Sequence, residues 1–127
     1  MRLRLTLCIV LPVCLLALGA GILFYAHSVS DALLQPLDPI EELALERRFD
    51  EIDSLLAHTE AYWERHSDLL MFVIDHDIID SISLEINALR GAQSSHSTAD
   101  VLIASQRLRV HARHLYRRDL PLVENLL

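Results

Sequence analysis

Residues 5–26 contain no charged side chain. The run from Leu5 to Ala26 is built mostly of Leu, Val, Ile and Ala. Coiled as a helix at 1.5 Å per residue, it extends about 33 Å, enough to cross a hydrocarbon layer of roughly 30 Å. Backbone groups in lipid must be paired within the segment, so the run is expected to be helical, bent slightly at Pro12. Arg2 and Arg4 precede it, and the first acid, Asp31, follows it. The positive-inside rule then holds the N-terminus in the cytoplasm and exports the remainder. The rival reading is a cleaved signal peptide. Apolar cores of that class run to about 7–15 residues, shorter than this one. Ala26-His27-Ser28 is nevertheless a small-x-small site, so cleavage stays open. Ala17 and Gly21 would let a second membrane helix approach closely, but small residues are common in spans and by themselves imply no partner.

Charge separates the rest of the chain from this run. All 18 acids lie beyond it, with nine of the 11 basic residues, a net charge of −9 with His neutral. Such a surface repels phosphate backbones and anionic lipid, so nucleic-acid binding is disfavoured. Every base is Arg. Cys8 and Cys14 both fall inside the apolar run, so the remainder has no disulfide framework and no thiol nucleophile. Val13 stands before Cys14 where a lipid-attachment signal needs a small residue. Three parts are expected: a cytoplasmic tip and anchor over 1–27, a connector over 28–38, and one small extracytoplasmic helical domain over 39–127.

Asp38-Pro39-Ile40-Glu41 has the order of a helix start, with Asp as N-cap, Pro at the first helical position and Glu at the third. A first helix is expected from Pro39 to about Arg47, or in a looser form from Ser30 with a kink at Pro36. From Phe49 the periodicity is sustained. Phe49, Ile52, Leu56, Thr59, Trp63, His66, Leu70 and Val73 mark one face of a single helix, thickened by Leu55, Tyr62 and Leu69. The phase passes through Ser67-Asp68 unchanged. It slips one residue at Asp77 and restarts at Ile78, Ile82, Ile86 and Leu89. A slip at an Asp-rich spot predicts a corner, with Asp75 or Asp77 as the cap and Asp80 near the first turn of the next helix. That helix is expected to stop near Arg90-Gly91. A polar loop over Gly91–Thr98 follows, with Ser97 or Thr98 capping a last helix whose stripe is Val101, Ala104, Leu108, Ala112 and Leu115, flanked by Tyr116. Pro121 comes soon after, and Val123–Leu127 is expected to fold back.

No period-two alternation occurs. The fold class is therefore all-α: an N-terminal transmembrane helix followed by a small antiparallel bundle of three to four helices. Acids concentrate in residues 31–64 and arginines in residues 96–118, which favours laying the last helix against the earlier ones, although exposed pairs contribute only about 0–1 kcal/mol each.

Trp63 near the end of an acidic amphipathic helix, then Phe72-Val73-Ile74-Asp75-His76-Asp77-Ile78-Ile79-Asp80, then a closing Glu124-Asn125-Leu126-Leu127 resembles the domain-of-unknown-function family numbered 4363. The resemblance covers most of the chain. Its members are short bacterial proteins with one N-terminal apolar helix and a helical remainder. The resemblance therefore implies an anchor and a helical fold, and it carries no activity.

The chain offers few groups for chemistry. Asp75, His76, Asp77 and Asp80 have ligand types suited to a divalent metal, with His76 and Asp80 at helical i, i+4 spacing. The competing reading is a capped corner with a solvated His. His111 and His114 form a second pair beside Arg107 and Arg118, whose charge opposes a cation. His66 lies on the apolar stripe and reads as a satisfied core histidine. The carboxylates of residues 41–64 read as a solvated face. There is no Gly-rich phosphate loop, HExxH, GxSxG or nucleophile–base arrangement. A non-enzymatic, cofactor-free accessory or interaction subunit is expected, bound to another membrane or envelope protein, with self-association open. The alternative is a membrane-tethered metal or small-ligand sensor using the Asp75–Asp80 corner.

Overall fold

The computed structural model describes residues 1–117, with side chains through Leu115. The expectations on Tyr116, Arg118, Pro121 and the 123–127 tail lie outside that range. Five helices follow one another: α1 (Arg2–Leu34), α2 (Leu37–Leu45), α3 (Phe49–Leu70), α4 (His76–Ser94) and α5 (Thr98–Arg117). No strand occurs among the described residues. The fold class is thus all-α, a long apolar N-terminal helix leading into a helical bundle.

α1 contains the uncharged run, and Pro12 lies inside it. Its most apolar window has a mean hydropathy of 2.7 and no buried residue. It is long and apolar enough to cross a membrane, and a signal sequence near an N-terminus has the same character. Beyond the run the helix continues. Ala26, Val29, Ser30 and Leu33 are buried on one face, at the three- and four-residue spacing of a packed helix. The stretch expected as a connector is therefore the last turns of α1, a two-residue turn and the start of α2.

That turn is slight. Gln35 (φ −56°, ψ −44°) and Pro36 (φ −76°, ψ −10°) both keep right-handed helical geometry. Ile40 N–H reaches the Pro36 carbonyl at 3.0 Å, so α2 resumes at once. Proline at 36 and 39 removes two backbone donors and divides the helices without redirecting the chain. The expected N-cap at Asp38 is not realised. The cap position is Pro36, and Asp38 sits in the first turn of α2.

α3 runs unbroken from Phe49 and buries Phe49, Ile52, Leu56, Thr59, Trp63 and Leu70. Thr59 returns its hydroxyl to the Leu55 carbonyl at 3.0 Å, which removes the cost of burying it. The stripe stops one step earlier than expected. Met71 ends the helix, and Val73 and Ile74 both donate to the Leu70 carbonyl, at 3.0 and 2.8 Å. This tightening carries Ile74, 8% exposed, into the core and leaves Val73 44% exposed. The chain then extends at Asp75 (φ −57°, ψ 135°), the N-cap position of α4, whose carbonyl accepts from Ile78 N–H at 3.1 Å. The phase slip in the apolar series is this corner. Asp77 occupies the first turn of α4, and Asp80 falls just after it.

α4 buries Ile78, Ile79, Ile82, Ile86 and Leu89. It does not stop at Gly91. The helix passes through that position, and a Cβ there would meet nothing within 4 Å. The chain reverses instead at His96 (φ 55°), and the reversal at the same end of the bundle, between α2 and α3, uses Arg47 (φ 59°). The two left-handed residues lie together. The His96 ring stacks on Phe49 at 4.9 Å with planes 7° apart, and the Arg47 guanidinium lies 5.4 Å from the Phe49 ring centre. Ser97 Oγ accepts from Asp100 N–H at 3.3 Å, the expected cap of the last helix. α5 then buries Val101, Ala104, Leu108, Ala112 and Leu115.

Short reversals make the neighbours antiparallel. α1 and α2 run one way, α3 returns, α4 runs out again and α5 returns. One continuous apolar cluster, from Ala26 to Leu115, holds them together. Each fully buried Leu or Ile side chain contributes about 1.5–3 kcal/mol to this packing.

Candidate functional site

Two places combine polar groups with partial burial: the seams between helices, and the end of the bundle from which α1 emerges.

On the first seam, Arg90 of α4 reaches Glu60 and Asp53 of α3 and donates to Gln93 Oε1 at 3.1 Å. Gln93 in turn donates to the Phe49 carbonyl at 3.1 Å. Hydrogen bonding to Glu60 raises the Arg90 pKa above its ordinary value against the lowering effect of burial. On the second seam, Arg109 of α5 donates to Asp38 at 2.7 Å and lies 2.9 Å from Glu41, both on α2. Burial lowers the Arg109 pKa, but the hydrogen bonds that its guanidinium donates to Glu41 and Asp38 outweigh it and the net direction is upward. Glu41 also accepts from Ser105 Oγ at 2.7 Å. The expectation of a uniformly solvated acidic face is therefore corrected. Glu41 is only 18% exposed and Glu60 33%, and both are paired across helices.

Glu85 was not singled out by sequence, and it is the least ordinary group on the seams. It sits on the buried side of α4, 8% exposed. Its Oε1 is 3.9 Å from His111 Nε2 on α5, and its Oε2 has no hydrogen-bond partner. Its place three residues after Ile82 and four before Leu89, on the apolar stripe, was the available signal.

At the α1 end, Tyr25 of α1 shares a hydrogen bond with His66 Nδ1 of α3. Tyr62, one turn earlier on α3, packs its ring 4.3 Å from His66. His66 is thus a partnered, half-buried histidine, as its stripe position implied. Burial, with the charge of Tyr25 adding to it, pushes the Tyr62 phenol above its usual pKa. Below this cluster lies the α3–α4 corner. Leu69, Met71, Phe72 and Val73 are 62%, 40%, 87% and 44% exposed there.

Among the described residues no three His, Cys, Asp or Glu side chains are placed to hold an ion together. Asp75, His76, Asp77 and Asp80 are all exposed. His111 and His114 meet edge to face at 6.2 Å, with His111 turned towards Glu85.

An up-and-down helical bundle carried on the end of a long apolar helix, with ion-paired seams, is the class these features define. The chain belongs to the family described as Domain of unknown function (DUF4363), whose model matches residues 21–126. No curated protein and no solved structure matches it. The family match begins in the last turns of the apolar run and takes in the whole described bundle.

Proposed function

We propose that this protein is a non-enzymatic, single-pass membrane protein whose helical bundle lies outside the cytoplasm and serves as an interaction or accessory subunit for another membrane or envelope protein. The observation that carries the reading is α1 itself. One helix has no buried residue in its most apolar window and is fully buried at Ala26, Val29 and Leu33. An exposed apolar helix surface of that length in water would be an aggregation liability. In a bilayer it is satisfied. Arg2 and Arg4 before it and the acids after it favour export of the bundle.

The interaction role is supported by apolar side chains on the outer surface of the bundle. Ile103 and Val110, two turns apart on α5, are 49% and 51% exposed, and Leu84 on α4 is 66% exposed. The ion-paired seams are spent on joining helices to each other, which fits a scaffold better than a reaction centre.

Two measurements test the reading. Alkaline extraction of membranes should leave the full chain in the pellet, and a Leu84→Cys variant should react with an impermeant maleimide on intact cells. Photo-crosslinkers placed at Ile103 and Val110 should give one discrete adduct that is lost when either position becomes Asp. A chain released by alkali would overturn the anchor. A strictly monomeric, uncrosslinked species in membranes would overturn the interaction role.

A further inference from the structure

The exposed apolar residues at the α3–α4 corner need an occupant, and their height along α1 identifies one. Tyr25 and His66 are in contact, which fixes the level of α3 against α1. From His66 the helix descends to Leu70, about 6 Å further at 1.5 Å per residue. The same distance down α1 from Tyr25 reaches Gly21, inside the uncharged run of residues 5–26. The other end of the bundle agrees. Phe49 to His66 covers about 25 Å of α3, and Leu45 back to Tyr25 about 30 Å of α2 and α1, so the two paths from the upper reversal agree to within about 5 Å. Ile22, at the level of the corner, is partly buried while its neighbours Gly21 and Leu23 are exposed, as expected if the corner packs beside it.

We propose that the α3–α4 corner, through Leu69, Met71, Phe72 and Val73, docks into the interfacial layer of the bilayer that holds α1. The proposal rests on the anchor reading given above. The depth is right: the corner reaches about 5–10 Å below the upper end of the run, the depth at which interfacial apolar faces settle. The belt is right as well. Tyr25 and Tyr62 stand immediately above, partly buried, where amphipathic rings favour the headgroup region. Phe24, 78% exposed on α1, lies at the same level. Asp75 is exposed in the corner itself, and Asp68, Asp77 and Asp80 are exposed beside it. Their charge opposes anionic lipid, so the attraction is apolar and the favoured surface is zwitterionic.

The test uses the full chain in phosphatidylcholine vesicles, with Cys8→Ala and Cys14→Ala as background and one environment-sensitive label at a time on Phe72→Cys, Leu45→Cys or Leu15→Cys. Doxyl-labelled phosphatidylcholine should quench the Phe72 label, more with the doxyl group near the headgroup than near the chain terminus. The Leu45 label, at the far end of α2, should be unaffected. The Leu15 label should be quenched most by the deep doxyl. Adding phosphatidylglycerol should weaken the Phe72 quenching. If Leu15 is quenched while Phe72 is not and iodide reaches it, the corner is in water; docking is wrong and the anchor stands. If Phe72 is shielded from both quenchers, protein covers it and docking is again wrong. If Leu15 is unquenched, the anchor reading falls and the docking with it.

Discussion

Trp63 on α3 donates its indole N–H to Ser83 Oγ on α4 at 2.9 Å, closing the corner between the two helices with a bond between side chains twenty residues apart. The rest of the indole is packed away, leaving Trp63 5% exposed. Its two contributions separate by substitution. Trp63→Phe keeps most of the apolar area and loses the bond, a cost of about 1 kcal/mol. Trp63→Ala also leaves a cavity and should cost about 3–5 kcal/mol. Thermal unfolding of the detergent-solubilised protein, followed by circular dichroism, measures both. Equal losses would mean that the hydrogen bond, and not the packing, is what holds the corner.

Arg109 is 18% exposed and answers two carboxylates of very different environment. Glu41 is as buried as the arginine, whereas Asp38 is 79% exposed. Arg109→Met should therefore cost roughly 1–3 kcal/mol, because it strands Glu41 without its cation. Asp38→Ala should cost under about 1 kcal/mol, the ordinary scale of an exposed pair. A double-mutant cycle with Glu41→Gln should recover part of the Arg109→Met loss. Additive losses would show that Glu41 and Arg109 are not coupled.

Glu85 predicts the opposite sign. A carboxylate 8% exposed, with one oxygen unpartnered, is costly to bury. Glu85→Met fills a similar volume without the polar atoms. It should raise the melting temperature by about 4–8 °C for each kcal/mol regained in a domain of this size. A lower melting temperature would show that Glu85 is satisfied in solution. A gain would mean that the residue is kept for something other than stability.

Tyr62 should contribute to the alkaline limit of stability. Its phenol is raised above the ordinary value by burial and by Tyr25. The folded state then holds its proton more tightly than the unfolded chain does. Stability from this group is fully present below the unfolded value of about 10 and is lost as pH rises through the folded one. Tyr62→Phe should flatten the stability profile above about pH 10 and leave it unchanged at neutral pH. A profile of unaltered slope would locate the alkaline transition elsewhere.

Much of this architecture was legible from apolar spacing. The α3 stripe, the break in phase and the α5 stripe are local patterns, and local patterns survive folding. What was hidden depended on partners distant in sequence. Asp38 looked like a cap because Asp-Pro usually is one. Here the backbone never left helical geometry at Pro36, and the carboxylate was free to meet Arg109 instead. Gly91 looked like a stop, but nothing at that position called for a left-handed residue. His96 took that role with the Phe49 ring as support. Val73 fitted the stripe by number, and only the tight turn off the Leu70 carbonyl placed Ile74 inside in its stead. Within the candidate sites, the types of the corner residues were readable and their dispersal was not. The pairing of Tyr25 with His66 spans the boundary at which the sequence divides most sharply, so no window on either side contained it.

α1 has no joint between its apolar part and the core. The helix that ends among Val29 and Leu33 is the one that begins at Arg2. A tilt or a rotation of the apolar half passes along one unbroken helix to those side chains. The bundle is therefore joined to the apolar segment as a head is to its shaft: its heading relative to that segment is set by one continuous helix.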